Sequence, residues 1–382
     1  MTTSTTRTAS AAPLVRWFIS SATLNVPQAA GPVAFALVAL ALTGDTSGGA
    51  AMILAMTLAQ VIGAIPIVRA GRRLPPTTFL RLLVIFRTIA LGSIALFAYY
   101  EASFIWLVAF SALAGAVNGA AFGNLRAVLN ELAPAAKLPR ALGIAATLNE
   151  VTFVLAPVAA SGLGTVSPVF AILAIAALGV IPALLVPTVT ATPTDDVHQP
   201  DASVISPAIL LWLTCAAAGG ATVAALEIGA VALALHFGYA PALAILFTVP
   251  LCLASVAGGI WVSVRNRMAS RRAVLVLLTI MACGAILAAL QLSMGVTVLG
   301  AVLIGAVLAP LGTYYSLVLD SLAPPRKRPE VFALLRTANA TGVIIASAVM
   351  TAVSLSTALV VVSCLMVTVV VIVGISSRTA GA

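Results

Sequence analysis

Three charged residues stand inside long apolar runs of this chain: Arg87 in RLLVIFRTIALG, Glu150 in GIAATLNEVTFVLAP and Glu227 in GGATVAALEIGAVALAL. A charge among such neighbours is costly unless it is paired or wetted, so each is a candidate for chemistry. A carboxyl held in apolar surroundings suits uptake and release of a proton during a cycle. An arginine there suits pairing with a carboxylate or holding an anion through its planar fork. Each also has a structural reading. Glu150 would bond Asn149 or Thr147, Glu227 would reach water near an interface, and Arg87 would extend its guanidinium to a nearby surface.

Uncharged polar residues form a second group: Asn25, Gln28, Gln60, Asn118, Tyr314 and Tyr315. Asn25, Pro27, Gln28 and Pro32 together describe a polar, kinked first helix, as a cavity wall requires. Each of these side chains is equally accounted for by a hydrogen bond between helices. Asp320 and Glu330 flank a basic loop and are read as gate residues near Arg326, Lys327, Arg328 and Arg336; such pairs bias which face of a two-state protein is open. Metal chemistry is not indicated. Cys215, Cys252, Cys283 and Cys364 lie in apolar runs without a CxxC spacing, and His198 and His236 are far apart. No GxxxxGK[ST] run and no nucleophile–base set is present, so no cofactor and no enzymatic activity are expected.

The elements that must position these residues follow from composition. The chain of 382 residues is 62% hydrophobic and 8% charged, with a mean hydropathy of +1.18. A soluble protein lacks the interior to hide so much apolar surface. Twelve apolar stretches fit spans of roughly 20 residues across a core of about 30 Å: 17–42, 48–68, 82–100, 103–125, 142–163, 167–187, 208–235, 241–263, 273–293, 296–319, 331–353 and 355–376. Helices are expected throughout, because lipid leaves backbone groups no other partner and the stretches exceed barrel strands. Glu150 then lies roughly 13 Å into its span and Arg87 roughly 8 Å into its own.

Basic residues alternate along the chain. Arg69, Arg72, Arg73 and Arg81 fill one gap; Arg126, Lys137 and Arg140 another; Arg265, Arg267, Arg271 and Arg272 a third; Arg326, Lys327, Arg328 and Arg336 a fourth. Arg7 and Arg16 precede the first stretch, Arg378 follows the last, and the gaps around Asp45, Glu101, Thr165, Tyr239, Gly295 and Ser356 hold no Lys or Arg. Retention of Lys and Arg on the cytoplasmic side places both termini there. The net charge of +9 is thereby explained by topology, and no nucleic-acid partner is expected. The N-terminal tail MTTSTTRTASAAP is polar, and no cleavable signal peptide is expected.

One cytoplasmic gap breaks the pattern. Residues 188–207 lack Lys and Arg and are rich in Pro, Thr, Ser and Asp, which reads as a solvated linker between 1–187 and 208–382. The two parts are related. At an offset of 190, VLNELAPAAKLPRALGIAATLN (128–149) and VLDSLAPPRKRPEVFALLRTAN (318–339) share Val128, Leu129, Leu132, Ala133, Pro134, Lys137, Pro139, Thr147 and Asn149 with their counterparts. A duplicated six-helix unit is the expectation.

Two parallel six-helix repeats about a cytoplasmic linker resemble the major facilitator superfamily of secondary transporters. Its loop motif G-x-L-x-D-R-x-G-R-R survives at its end as Arg69-Ala70-Gly71-Arg72-Arg73, with Ala64 and Val68 at the Gly and Asp positions. Arg69, Gly71, Arg72 and Arg73 thus join Asp320, Glu330 and Arg336 as cytoplasmic gate candidates, with half of the usual charge relay missing or relocated. The proton-linked R-x-x-Q-G motif would fall on Gly115–Gly119, where Gly115 and Asn118 replace Arg and Gln, and the Gly-Pro pair of the antiporter motif on Ala156-Pro157. The resemblance implies a monomer of the bacterial plasma membrane working by alternating access. Its few helix charges point to a small, largely apolar or amphipathic solute, with proton-coupled export through Glu150 or Glu227. Uptake or uniport of a small organic solute is the alternative, as is a receptor or scaffold that no longer cycles.

Overall fold

The computed structural model describes residues 12–44, 47–189 and 206–379. The polar tail with Arg7, the turn at Asp45, linker residues 190–205 with His198, and the Arg378 side chain lie outside the described residues. All regular structure among the described residues is helical: α1 (Ala12–Thr43), α2 (Ser47–Ala70), α3 (Pro76–Tyr99), α4 (Phe104–Ala116), α5 (Asn118–Leu132), α6 (Leu138–Gly164), α7 (Pro168–Leu185), α8 (Pro207–His236), α9 (Ile245–Arg265), α10 (Arg271–Leu290), α11 (Met294–Leu322), α12 (Arg328–Ala352) and α13 (Leu355–Thr379). Among the described residues, twelve segments are long and apolar enough to cross a membrane, with α4 and α5 together forming the fourth. Serines cap the starts of α7, α8, α10 and α11, where Ser167, Ser206, Ser270 and Ser293 each accept a backbone N–H of the first turn.

The fourth span departs from the single helix expected over 103–125. It extends to Leu132 and is interrupted at Val117. Gly115 presses α4 onto α2 so closely that an added Cβ would stand 2.0 Å from the Met56 carbonyl oxygen. This contact also means that no arginine fits at the position where the R-x-x-Q-G motif would carry one. Several basic residues assigned to loops lie inside helices instead. Arg81 is in α3 and bonds the Val186 carbonyl; Arg126 is buried in α5; Arg336 lies two turns into α12. Apolar stretches mark hydrocarbon, and helices continue past it into the polar zone.

Packing repeats across the chain. The pairings α1–α6, α1–α7, α2–α4 and α3–α7 have counterparts in α8–α12, α8–α13, α9–α11 and α10–α13. Crossed pairings join the two sets: α6 with α9, α2 with α12, α5 with α12, and α6 with α11. The 190-residue offset is kept in detail, since short 3-10 turns Ala135–Lys137 and Pro325–Lys327 precede α6 and α12 at equivalent positions. Arg126 bonds Ser316 and Asn130 bonds Asp320, each 190 residues apart. Equivalent residues of two copies touch only where the pseudo-two-fold axis passes. The sets meet at the ends carrying the basic loops, hereafter the basic face. Helices α1 and α8 make no appreciable contact, and the space between the two sets on that side is called the cleft below.

Candidate functional site

Arg87 is 2% exposed, so it does not extend to a surface. Helix α3 starts six residues before the stretch read from hydropathy, at Pro76, which places Arg87 roughly 16 Å along the helix. Its guanidinium joins three helices. One amino nitrogen donates to the Leu24 carbonyl of α1 (2.9 Å) and to Asn118 Oδ1 of α5 (3.2 Å); the other donates to the Gly179 carbonyl of α7 (3.0 Å). These carbonyls lie beside Pro27 and Pro182, where the helical ladder is interrupted. Asn118 donates in turn to Gln28 Oε1 and Gln60 Oε1, both at 2.7 Å. Four of the polar candidates therefore form one network inside the first set. The adjoining cavity, lined by Gln28, Met56, Arg87 and Asn118 among others, measures about 10 Å³. That is room for roughly one water and excludes an organic solute from this spot.

Glu150 lies twelve residues past the start of α6, half-buried, without an ion pair among the described residues. Thr147 bonds the Gly143 carbonyl, so it does not hold the carboxylate. Across the cleft, Glu227 of α8 is exposed and within electrostatic reach of Glu150. Cys252 of α9 is within reach of both, and the buried Ser255 hydroxyl approaches Glu150 without closing a hydrogen bond. One carboxyl from each set thus comes within electrostatic reach of the other. Arg87 does not pair with Glu150.

Asn25 and Arg336 meet elsewhere in the cleft. An amino nitrogen of Arg336 donates to Asn25 Oδ1 at 3.2 Å, and its guanidinium carbon lies 5.4 Å from the Phe122 ring centroid. Tyr314 is 2% exposed and packs edge-on against Trp212 with centroids 5.0 Å apart. It belongs to the core of the second set and does not line the cleft.

The basic face is closed by contacts between the sets. Glu330, 1% exposed in the first turn of α12, receives Arg72 through Nε at 2.8 Å and through an amino nitrogen, while Arg69 Nε lies 3.7 Å from its other oxygen. The carboxylate that the loop motif lacks at Val68 is therefore supplied by the other set. Asp320 accepts from Asn130 of α5 and pairs with Arg328 Nε at 3.2 Å. Neither acid meets Arg336, which lies deeper. Gly71 lets Phe79 cross over the loop: a Cβ there would stand 2.2 Å from the ring. Gly123 does the same for α12, where a Cβ would be 2.2 Å from the Pro329 carbonyl oxygen.

Sequence reasoning passed over the centre of this closure. Arg126 Nε donates to Ser316 Oγ at 2.7 Å, and the guanidinium sits 4.6 Å from the Phe332 centroid and bonds Asn130. Asn266, in a left-handed conformation after α9, accepts the Arg140 N–H and donates to the Ala136 carbonyl, tying the α6 start to the second set. The 190-residue offset was the signal for Arg126, Asn130 and Ser316, since it pairs them with each other and with Asp320.

The family model described as Major Facilitator Superfamily matches residues 17–347. Among curated proteins, none matches this chain significantly. A bacterial homologue of the iron transporter ferroportin, solved in an outward-facing state, superposes with a TM-score of 0.80 at 13% identity, covering 95% of this chain and 98% of that one. The human organic anion transporter MFSD10 (TETRAN) gives 0.71 at 14% identity, with 95% and 98% covered. The proton:xylose symporter XylE, bound to 6-bromo-6-deoxy-D-glucose, gives 0.71 at 10% identity, with 94% and 93% covered. At these identities the likeness is one of fold.

Proposed function

The chain belongs to the Major Facilitator Superfamily of membrane transporters, and on that premise we propose proton-coupled export of a small amphipathic solute by alternating access. The observation that carries this reading is the pair Glu150 and Glu227, one from each set, within electrostatic reach of each other and without a cationic partner among the described residues. A carboxyl left unpaired at membrane depth is costly as an anion, so it takes a proton when isolated and gives it up when wetted. Rocking the sets changes that wetting and links the proton to the state of the cleft. The basic face is assigned to the cytoplasm by the bias of Lys and Arg, in a bacterial plasma membrane. Residues 1–187 and 208–382 are the moving bodies of a monomer, and 188–207 is the strap between them. Export is taken from the superfamily resemblance. The relocated acid at Glu330 supports a working gate and weighs against a scaffold.

The test uses the full chain in vesicles carrying a luminal pH dye and an imposed pH gradient, with a panel of amphipathic solutes. Gradient-driven solute flux with matching proton movement is expected, and it should be lost in Glu150→Gln and Glu227→Gln. Flux indifferent to the gradient and unchanged in the double variant would remove the proton coupling. Accumulation in the direction opposite to export would assign uptake.

A further inference from the structure

We propose that the solute carries an anionic group, a carboxylate or similar oxyanion on an apolar body, and that Arg336 receives it in the cleft. This rests on the transporter reading above and names its substrate class. Among the described residues Arg336 meets no carboxylate: its contacts are a hydrogen bond to Asn25 across the seam and a face-on contact with Phe122. It is half-buried, and none of its nitrogens is among the sealed, unbonded atoms of the described residues, so its spare N–H groups are left accessible to a ligand. Behind it stands Arg87, within electrostatic reach, fully enclosed, with a sealed Nε that has no partner. Arg87 is held by carbonyls and an amide, which leave its charge in place.

Two arginines therefore stand within electrostatic reach of each other with no acid among the described residues to balance them, and Arg336 is the one that is not enclosed. Glu150 and Glu227 lie within electrostatic reach of each other, and neither forms an ion pair with Arg87 or Arg336. An uncompensated cation of this kind in a low-dielectric site is the arrangement that an anion completes. Arginine suits an oxyanion in particular because its fork matches two oxygens. Phe122 beside the guanidinium supplies an apolar surface for the body of the solute. Asn25 bridges the first set to the same guanidinium, so occupation would engage both moving bodies.

Purified full-length protein in lipid nanodiscs would be titrated with octanoate, benzoate and octanesulfonate, against octanol and octylamine as matched neutral and cationic probes. Binding by calorimetry and the unfolding midpoint are the readouts. The anions are expected to bind at least tenfold tighter than octanol and to raise the midpoint. Arg336→Gln should abolish that preference, and Arg336→Lys should keep part of it. Asn25→Asp keeps the arginine but supplies it with an internal counter-ion, and should also lose anion binding at least tenfold. Anions no tighter than octanol, equal anion binding in wild type and Arg336→Gln, or a preference for octylamine would each overturn the proposal. Anion binding without gradient-driven flux would sink the transport reading alone. Flux of neutral or cationic solutes that ignores Arg336→Gln would sink this one alone.

Discussion

Arg87, Asn118, Gln28 and Gln60 each looked like an isolated polar residue in an apolar run, and together they are one bonded unit. The amide of Asn118 is oriented by its partners: both glutamine oxygens accept from its nitrogen, so its oxygen is left for the guanidinium. Lysine cannot replace the fork that reaches α1, α5 and α7 at once. Arg87→Lys should therefore lower stability by on the order of 2 kcal/mol, through charged hydrogen bonds left unmade. Thermal unfolding followed by tryptophan fluorescence in detergent would show a midpoint several degrees lower. An unchanged midpoint would mean that the network does not hold α1, α3 and α7 together. Residue types were legible in the sequence here, and partners were not, because helix rotation about its own axis decides which candidate meets which.

Among the elements, α12 does the most to join the two sets. Its first turn holds Glu330 where the exposed N–H groups favour a carboxylate, and Arg69 arrives from the last turn of α2 and Arg72 from the loop that follows. Loss of one such charge-assisted pair, about 1.4 kcal/mol, changes a two-state ratio about tenfold. Glu330→Gln should open the basic face by that factor. With Cys215, Cys252, Cys283 and Cys364 replaced, a cysteine at Ser316 in the closed seam would then be alkylated about ten times faster. The charge exchange Arg72→Glu with Glu330→Arg should slow it again. Alkylation equally slow in the single variant would deny the pair its gating role.

At the scale of the whole molecule, two copies of a six-helix unit meet on an axis marked by Arg126–Ser316 and Asn130–Asp320. On the alternating-access reading proposed above, residues on that axis touch in this state and are expected to separate when the sets rock. Asn130→Cys with Asp320→Cys, cross-linked by a short bifunctional thiol reagent in a cysteine-replaced background, should hold the basic face shut. Solute exchange in vesicles would stop, and a reagent with a reducible bridge would let dithiothreitol restore it. Exchange that continues after complete cross-linking would show that this seam need not open.

Hydropathy, the alternation of Lys and Arg and the 190-residue echo determined by themselves that the chain is a twelve-span helical bundle built twice. These are properties of each segment against a uniform solvent, and a segment carries them alone. Tertiary structure decided what needs two segments at once: that Glu330 replaces the acid absent at Val68, that Tyr314 is core, and that Glu150 lies within reach of Glu227 while Arg87 is held elsewhere. It also decided that Arg336, counted among loop residues by its type, lies inside α12 against Asn25 and Phe122, without a counter-ion among the described residues. Pairing is a relation between surfaces, and helix rotation and crossing are set by the packing of small residues that hydropathy does not rank.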